Sequence, residues 1–133
     1  MNLSILNLTL LLFLAATLAA DASPPSPEHL QPDAPAKIKF RLDDIRPDGL
    51  RGPPDGLRSV SYEFCIPTSK LACDEVKRID PSVNMQPGSR GRVGCTKEQT
   101  LCIGTTHQPN WREVLKKLSA LAYIAEIREC FFE

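Results

Sequence analysis

The sequence contains no Cys-x2-Cys pair, no Gly-x-Ser-x-Gly and no block of Lys or Arg. Each absence narrows the function classes. Without Cys-x2-Cys, the usual zinc frameworks lack their ligand spacing. Without Gly-x-Ser-x-Gly there is no nucleophile elbow, and no Ser, His and Asp elsewhere stand at a spacing that picks out a triad. Sixteen basic residues balance sixteen acidic ones. That neutrality argues against nucleic acid or an anionic membrane surface as the main partner. The two Asn-x-Ser/Thr matches, at Asn2 and Asn7, lie in the N-terminal apolar stretch, so no glycosylation acceptor follows it. No cofactor is expected.

That N-terminal stretch reads as an export signal over residues 1–22. Leu3 to Leu18 are almost wholly apolar, and no charge precedes Asp21. The run is short of the roughly 20 apolar residues a bilayer span needs. Ala20-Asp21-Ala22 fits an A-x-A cleavage site, with a cut after Ala20 as the competing choice. A retained anchor is the alternative, because Met1-Asn2 supplies no basic side chain. Export implies a secreted or periplasmic protein, with no stable membrane insertion after cleavage.

Residues 23–58 carry eight of the twelve prolines and read as a flexible linker. Pro47-Asp48-Gly49-Leu50-Arg51 recurs as Pro54-Asp55-Gly56-Leu57-Arg58, two copies of a turn-forming unit. Within this segment Ile38, Phe40 and Leu42 alternate with Lys39, Arg41 and Asp43, the period of a half-buried strand. Residues 37–43 are therefore expected as an added edge strand of the domain that follows, with ordering by a partner as the alternative.

Residues 59–133 form the expected folded unit. Val60, Tyr62, Phe64 and Ile66 alternate along a first strand ended by Pro67. Thr68 or Ser69 can cap a helix running to Ile79, with Ala72, Val76 and Ile79 as its apolar stripe. Val83 and Met85 lead into a Gly-rich basic turn, then a second strand at 91–95 and a third at 101–105. The second helix carries Trp111, Val114, Leu115, Leu118, Leu121 and Ala122 on one face, with Asn110 and Glu113 as a capping box. A last strand falls within 124–132. Strand, helix, strand, strand, helix, strand is the α+β, ferredoxin-like βαββαβ order, with an antiparallel sheet ordered 4-1-3-2 and both helices on one face.

Five cysteines in an exported chain should pair, and an odd number leaves one over. Strand parity puts Cys65, Cys102 and Cys130 on the face away from the helices. Cys95–Cys102 would close a loop of eight residues, worth about 2.5 kcal/mol, and Cys65–Cys102 one of 38 residues, worth about 3.9 kcal/mol. The short hairpin pairing is favoured kinetically, which leaves Cys65 to meet Cys130 and Cys73 as the free thiol. The alternative is a metal or redox site on Cys65, Cys95, Cys102 and His107. Cys102 or Cys65 beside His107 also makes a Cys/His pair, but an oxidised thiol is no nucleophile and no orienting third group is evident.

The loop before the second helix offers one further constellation. Arg90, Arg92, Thr105, Thr106, His107 and Asn110 could converge on the helix N-terminus to bind an anion or a partner. Capping by Thr and Asn, with a solvated histidine, is the plainer account.

The element order, together with Leu115-Lys116-Lys117-Leu118-Ser119-Ala120-Leu121-Ala122-Tyr123-Ile124 leading to a final strand, resembles the propeptide/inhibitor domains of subtilisin-type proteases. The resemblance spans about 75 residues at the level of pattern, and the five cysteines depart from it. It implies an exported ferredoxin-like module that chaperones or inhibits a protease. The expected function is a non-catalytic binding module for a protein or peptide. A thiol-based metal-binding or redox protein is the alternative.

Overall fold

The computed structural model describes residues 35–132. The expected signal over 1–22 lies outside the described residues, as does the Pro-rich stretch to 34. The alternating strand forms as β3 (Ser61–Pro67), and its apolar side chains drive the packing. Val60, Tyr62, Phe64 and Ile66 are all buried on one face. Against that face lie Ala72 and Val76 of α1 (Lys70–Ile79) and Trp111, Val114, Leu115 and Leu118 of α2 (Trp111–Ser119). Ser69 caps α1, its hydroxyl accepting from the Ala72 N–H at 3.2 Å.

Two more strands follow α1, β4 (Asn84–Pro87) and β5 (Gln99–Thr105), and β6 (Arg128–Cys130) follows α2. The four-stranded antiparallel sheet has the order β4-β5-β3-β6. The fold is thus α+β with two helices. One strand is displaced from expectation: the partner of β5 is Asn84–Pro87, and residues 91–95 form no strand. Gly88, Gly91 and Gly94 all take positive φ, which coils that segment instead of extending it.

The coiled segment covers the sheet face opposite the helices. A disulfide joins Cys65 of β3 to Cys95, with Cα atoms 5.5 Å apart. Glu63, wholly within the sheet, accepts from the Val93 N–H at 2.6 Å. A side chain at Gly91 would strike Leu101, so the loop lies directly on the strand. Leu101 is buried beneath it, and Cys95 of the segment itself is buried as well.

Residues 38–58, expected as linker, pack against this body. Ile45 is buried, and Phe40 and Leu42 lie against the core. The two Pro-Asp-Gly units make turns whose ends pair as β1 (Leu50–Arg51) and β2 (Arg58–Ser59), antiparallel. Thr106 pins this ribbon to the sheet. Its hydroxyl donates to the Gly49 carbonyl at 2.6 Å and accepts from the Val60 N–H at 2.9 Å. Trp111 Nε1 donates to the Pro47 carbonyl at 3.2 Å. The edge strand expected at 37–43 reduces to one parallel bridge, Ile38 with Ile127.

Candidate functional site

The thiols occupy three different environments. In the β3–β5 register Cys65 stands opposite Leu101 and Phe64 opposite Cys102. Cys102 therefore shares the helix-facing side with Phe64 and is fully buried, contrary to the parity expected from Leu101 and Ile103. The expected Cys95–Cys102 pair is replaced by Cys65–Cys95, and Cys73, Cys102 and Cys130 are free. Burial, helped by the nearby Cys73 and Asp80, pushes the Cys102 thiol up to about 12. Cys130, opposite Ser61, lies on the loop-covered face. Burial and the neighbouring Glu63 carboxylate raise its pKa as well, against the lowering effect of Arg92.

The four residues of the metal or redox alternative are not brought together in this arrangement. Cys65 and Cys95 are bonded to each other, and Cys102 lies across the sheet from them. No cluster of three His, Cys, Asp or Glu suited to a metal occurs among the described residues.

The loop constellation separates in the same way. Thr106 is buried and spends its hydroxyl on Gly49 and Val60. Thr105 Oγ1 accepts from the His107 N–H at 3.2 Å, and His107 itself is exposed. Asn110 takes a left-handed conformation, φ 56°, and its side chain makes no cap bond, so the capping box is not formed. Arg90 and Arg92 belong to the loop over the opposite sheet face, and neither lines the clefts beside the start of α2.

A buried polar cluster joins Tyr62, expected as core, to Asp80, Ser82 and Gln108. Tyr62 donates its hydroxyl to Asp80 at the end of α1. Ser82 donates to the same carboxylate through N–H at 3.0 Å and hydroxyl at 2.6 Å. Gln108 Nε2 reaches Asp80 Oδ1 at 3.0 Å and the Thr105 carbonyl at 2.8 Å. Burial, then the Asp80 charge, drives the Tyr62 pKa upward and keeps the phenol neutral. Every buried polar side chain described here has a partner, so the cluster ties α1 to β5 and the loop before α2. Gly104 makes room for it, since a Cβ there would lie 2.5 Å from the Tyr62 ring.

Exposed side chains also gather at the other edge of the sheet. A cleft of about 410 Å³ beside β6 is bordered by Lys39, Phe40, Arg41, Arg51, Arg128 and Phe131 among others. Arg51 is neutralised by Glu129, to which it donates through both Nη atoms, and Arg128 pairs with Glu126 at 3.0 Å. Lys39 and Arg41 make no ion pair among the described residues. Phe131 and Phe132 are 56% and 73% exposed. Sequence reading assigned none of these residues a role. The alternation of Ile38, Phe40 and Leu42 with charged neighbours was the available signal.

No protein-family model, no curated protein and no solved structure matches this chain.

Proposed function

We propose that this chain is an exported, disulfide-stabilised, ferredoxin-like binding module that acts through protein or peptide contact and performs no chemistry of its own. The support for the fold name is the run β3-α1-β4-β5-α2-β6 with sheet order β4-β5-β3-β6. The disulfide fits an oxidising compartment. Among the described residues no helix is long and apolar enough to cross a membrane.

The observation that carries the non-catalytic reading is the state of the sulfurs. Two are consumed in Cys65–Cys95, Cys73 stays free and partly exposed, and burial raises the pKa of both Cys102 and Cys130. A thiol nucleophile or metal ligand works as thiolate, and these environments oppose its formation.

Alkylation followed by mass spectrometry tests this at pH 7. Cys102 should stay unlabelled in the native protein and react after denaturation. The purified protein should also carry no stoichiometric metal and should not turn over a dithiol–disulfide exchange substrate. Rapid native labelling of Cys102 with turnover, or a bound metal, establishes the thiol-based alternative.

A further inference from the structure

The cleft beside β6 also has an unfinished backbone edge. Ile127 exchanges bonds with the N-terminal segment: its N–H donates to the Lys37 carbonyl and its carbonyl accepts from Lys39, both at 2.8 Å. The pairing stops there, since Ile38–Ile127 is a single bridge. In a strand, residues two apart turn their peptide groups to the same side. Glu129 therefore presents its N–H and carbonyl to the side that Ile127 uses. Outside the β3–β6 ladder, where Glu129 stands opposite Tyr62, neither group has a backbone partner among the described residues. An exposed edge of this kind is a ready template for another strand.

The surroundings define what could pair with it. Lys39 and Arg41 extend from the segment that leaves the edge and make no ion pair among the described residues, so the cleft stays net positive although Asp44 and Glu129 also line it. Arg128 stands on the edge strand itself, about half exposed, with its Nε paired to Glu126. Phe40 and Phe131 line the same cleft. We infer that this edge accepts an extended, acidic segment of a partner protein by strand addition. Backbone pairing to Glu129 supplies affinity, the cations meet acidic side chains, and the two phenylalanines take the apolar residues between them. Lys39, Arg41 and Arg128 also disfavour a second copy of this chain, because pairing two such edges would bring like charges together.

This inference rests on the binding-module reading but is tested apart from it. A fluorescein-labelled eight-residue peptide of alternating glutamate and valine is titrated into the mature protein, with anisotropy as the readout. Saturable binding is expected. It should weaken at least tenfold with Lys39→Glu/Arg41→Glu/Arg128→Glu, or when the peptide's backbone amides are N-methylated, and an alternating lysine–valine peptide should not bind. Phe131→Ala, on a largely exposed ring, is a second variant that leaves folding intact and should also weaken binding.

The inference is overturned if the peptide does not bind. It is equally overturned if N-methylation has no effect, which makes the cleft a simple anion site, or if sedimentation shows the edge occupied by a second copy. Absent peptide binding with inert thiols removes this surface and leaves the module reading standing. Reactive, catalytic thiols remove that reading instead.

Discussion

Phe64 and Cys102 stand opposite each other on β3 and β5, and this register decides the fate of the sulfurs. Because Phe64 points to the helices, Cys102 must point there too. It is sealed in the core and cannot reach Cys95 on the other face. Cys95 instead folds down onto Cys65.

Non-reducing peptide mapping should recover Cys65 linked to Cys95, with a separation of 30 residues. In the chain-entropy model a loop of that length contributes about 3.7 kcal/mol. The Cys65→Ala/Cys95→Ala variant should lose stability up to that amount in urea unfolding. A Cys95–Cys102 peptide would falsify the register.

Alkaline pH should destabilise the fold through Cys102. Its pKa rises from 9.0 to about 12 on folding. Between those values the folded state binds more protons than the unfolded chain, so stability falls as pH rises. Below pH 9 the contribution is fully present. The slope from this group is at most about 1.4 kcal/mol per pH unit. Rapid-mixing urea unfolding, followed by the fluorescence of Trp111, should show a shallower alkaline loss in Cys102→Ala. Equal slopes would remove Cys102 as the cause.

The N-terminal ribbon should prove integral to the fold. Gly49 has φ 82°, and a Cβ there would lie 1.8 Å from the Thr106 carbonyl oxygen. Gly49→Ala combines backbone strain with a backbone clash and should cost about 2–4 kcal/mol. Thr106→Val leaves the Val60 N–H and Gly49 carbonyl short of a partner, a loss of about 1–3 kcal/mol. Thermal melts read both. A melt unchanged in both variants would mean that residues 46–59 do not contribute to stability.

The buried cluster gives a fourth expectation. Asp80→Ala strips the acceptor from Tyr62, Ser82 and Gln108 together and should destabilise by several times the roughly 1 kcal/mol of an ordinary hydrogen bond. Tyr62→Phe removes only one donor and should be milder. The reverse ranking in urea unfolding would place the energetic centre on the phenol.

Much of the architecture was legible because it follows local periodicity. The period-2 burial of Val60, Tyr62, Phe64 and Ile66 and the apolar stripe of α2 need no knowledge of distant residues. Ser69 as a cap is equally local. The parity of β5 was illegible for a definite reason. Leu101 and Ile103 alternate with Cys102 and Gly104, and the apolar pair looks like the core face. The loop over the other side covers Leu101, so apolar character no longer marks one face. Thr106 and the two arginines stand in different settings, because contacts between residues far apart in the chain decide where each loop lies.

By itself, the sequence determined which segments become β3, α1, β5 and α2, because each carries its own pattern of burial and its own stop signals. Only tertiary structure decided which side of β5 faces inward, which cysteines meet, and that residues 38–58 belong to the folded body. Those outcomes depend on the coiled 88–98 segment lying over the sheet and on Thr106 bridging Gly49 and Val60. Both are contacts between residues far apart in the chain, and no local pattern records them.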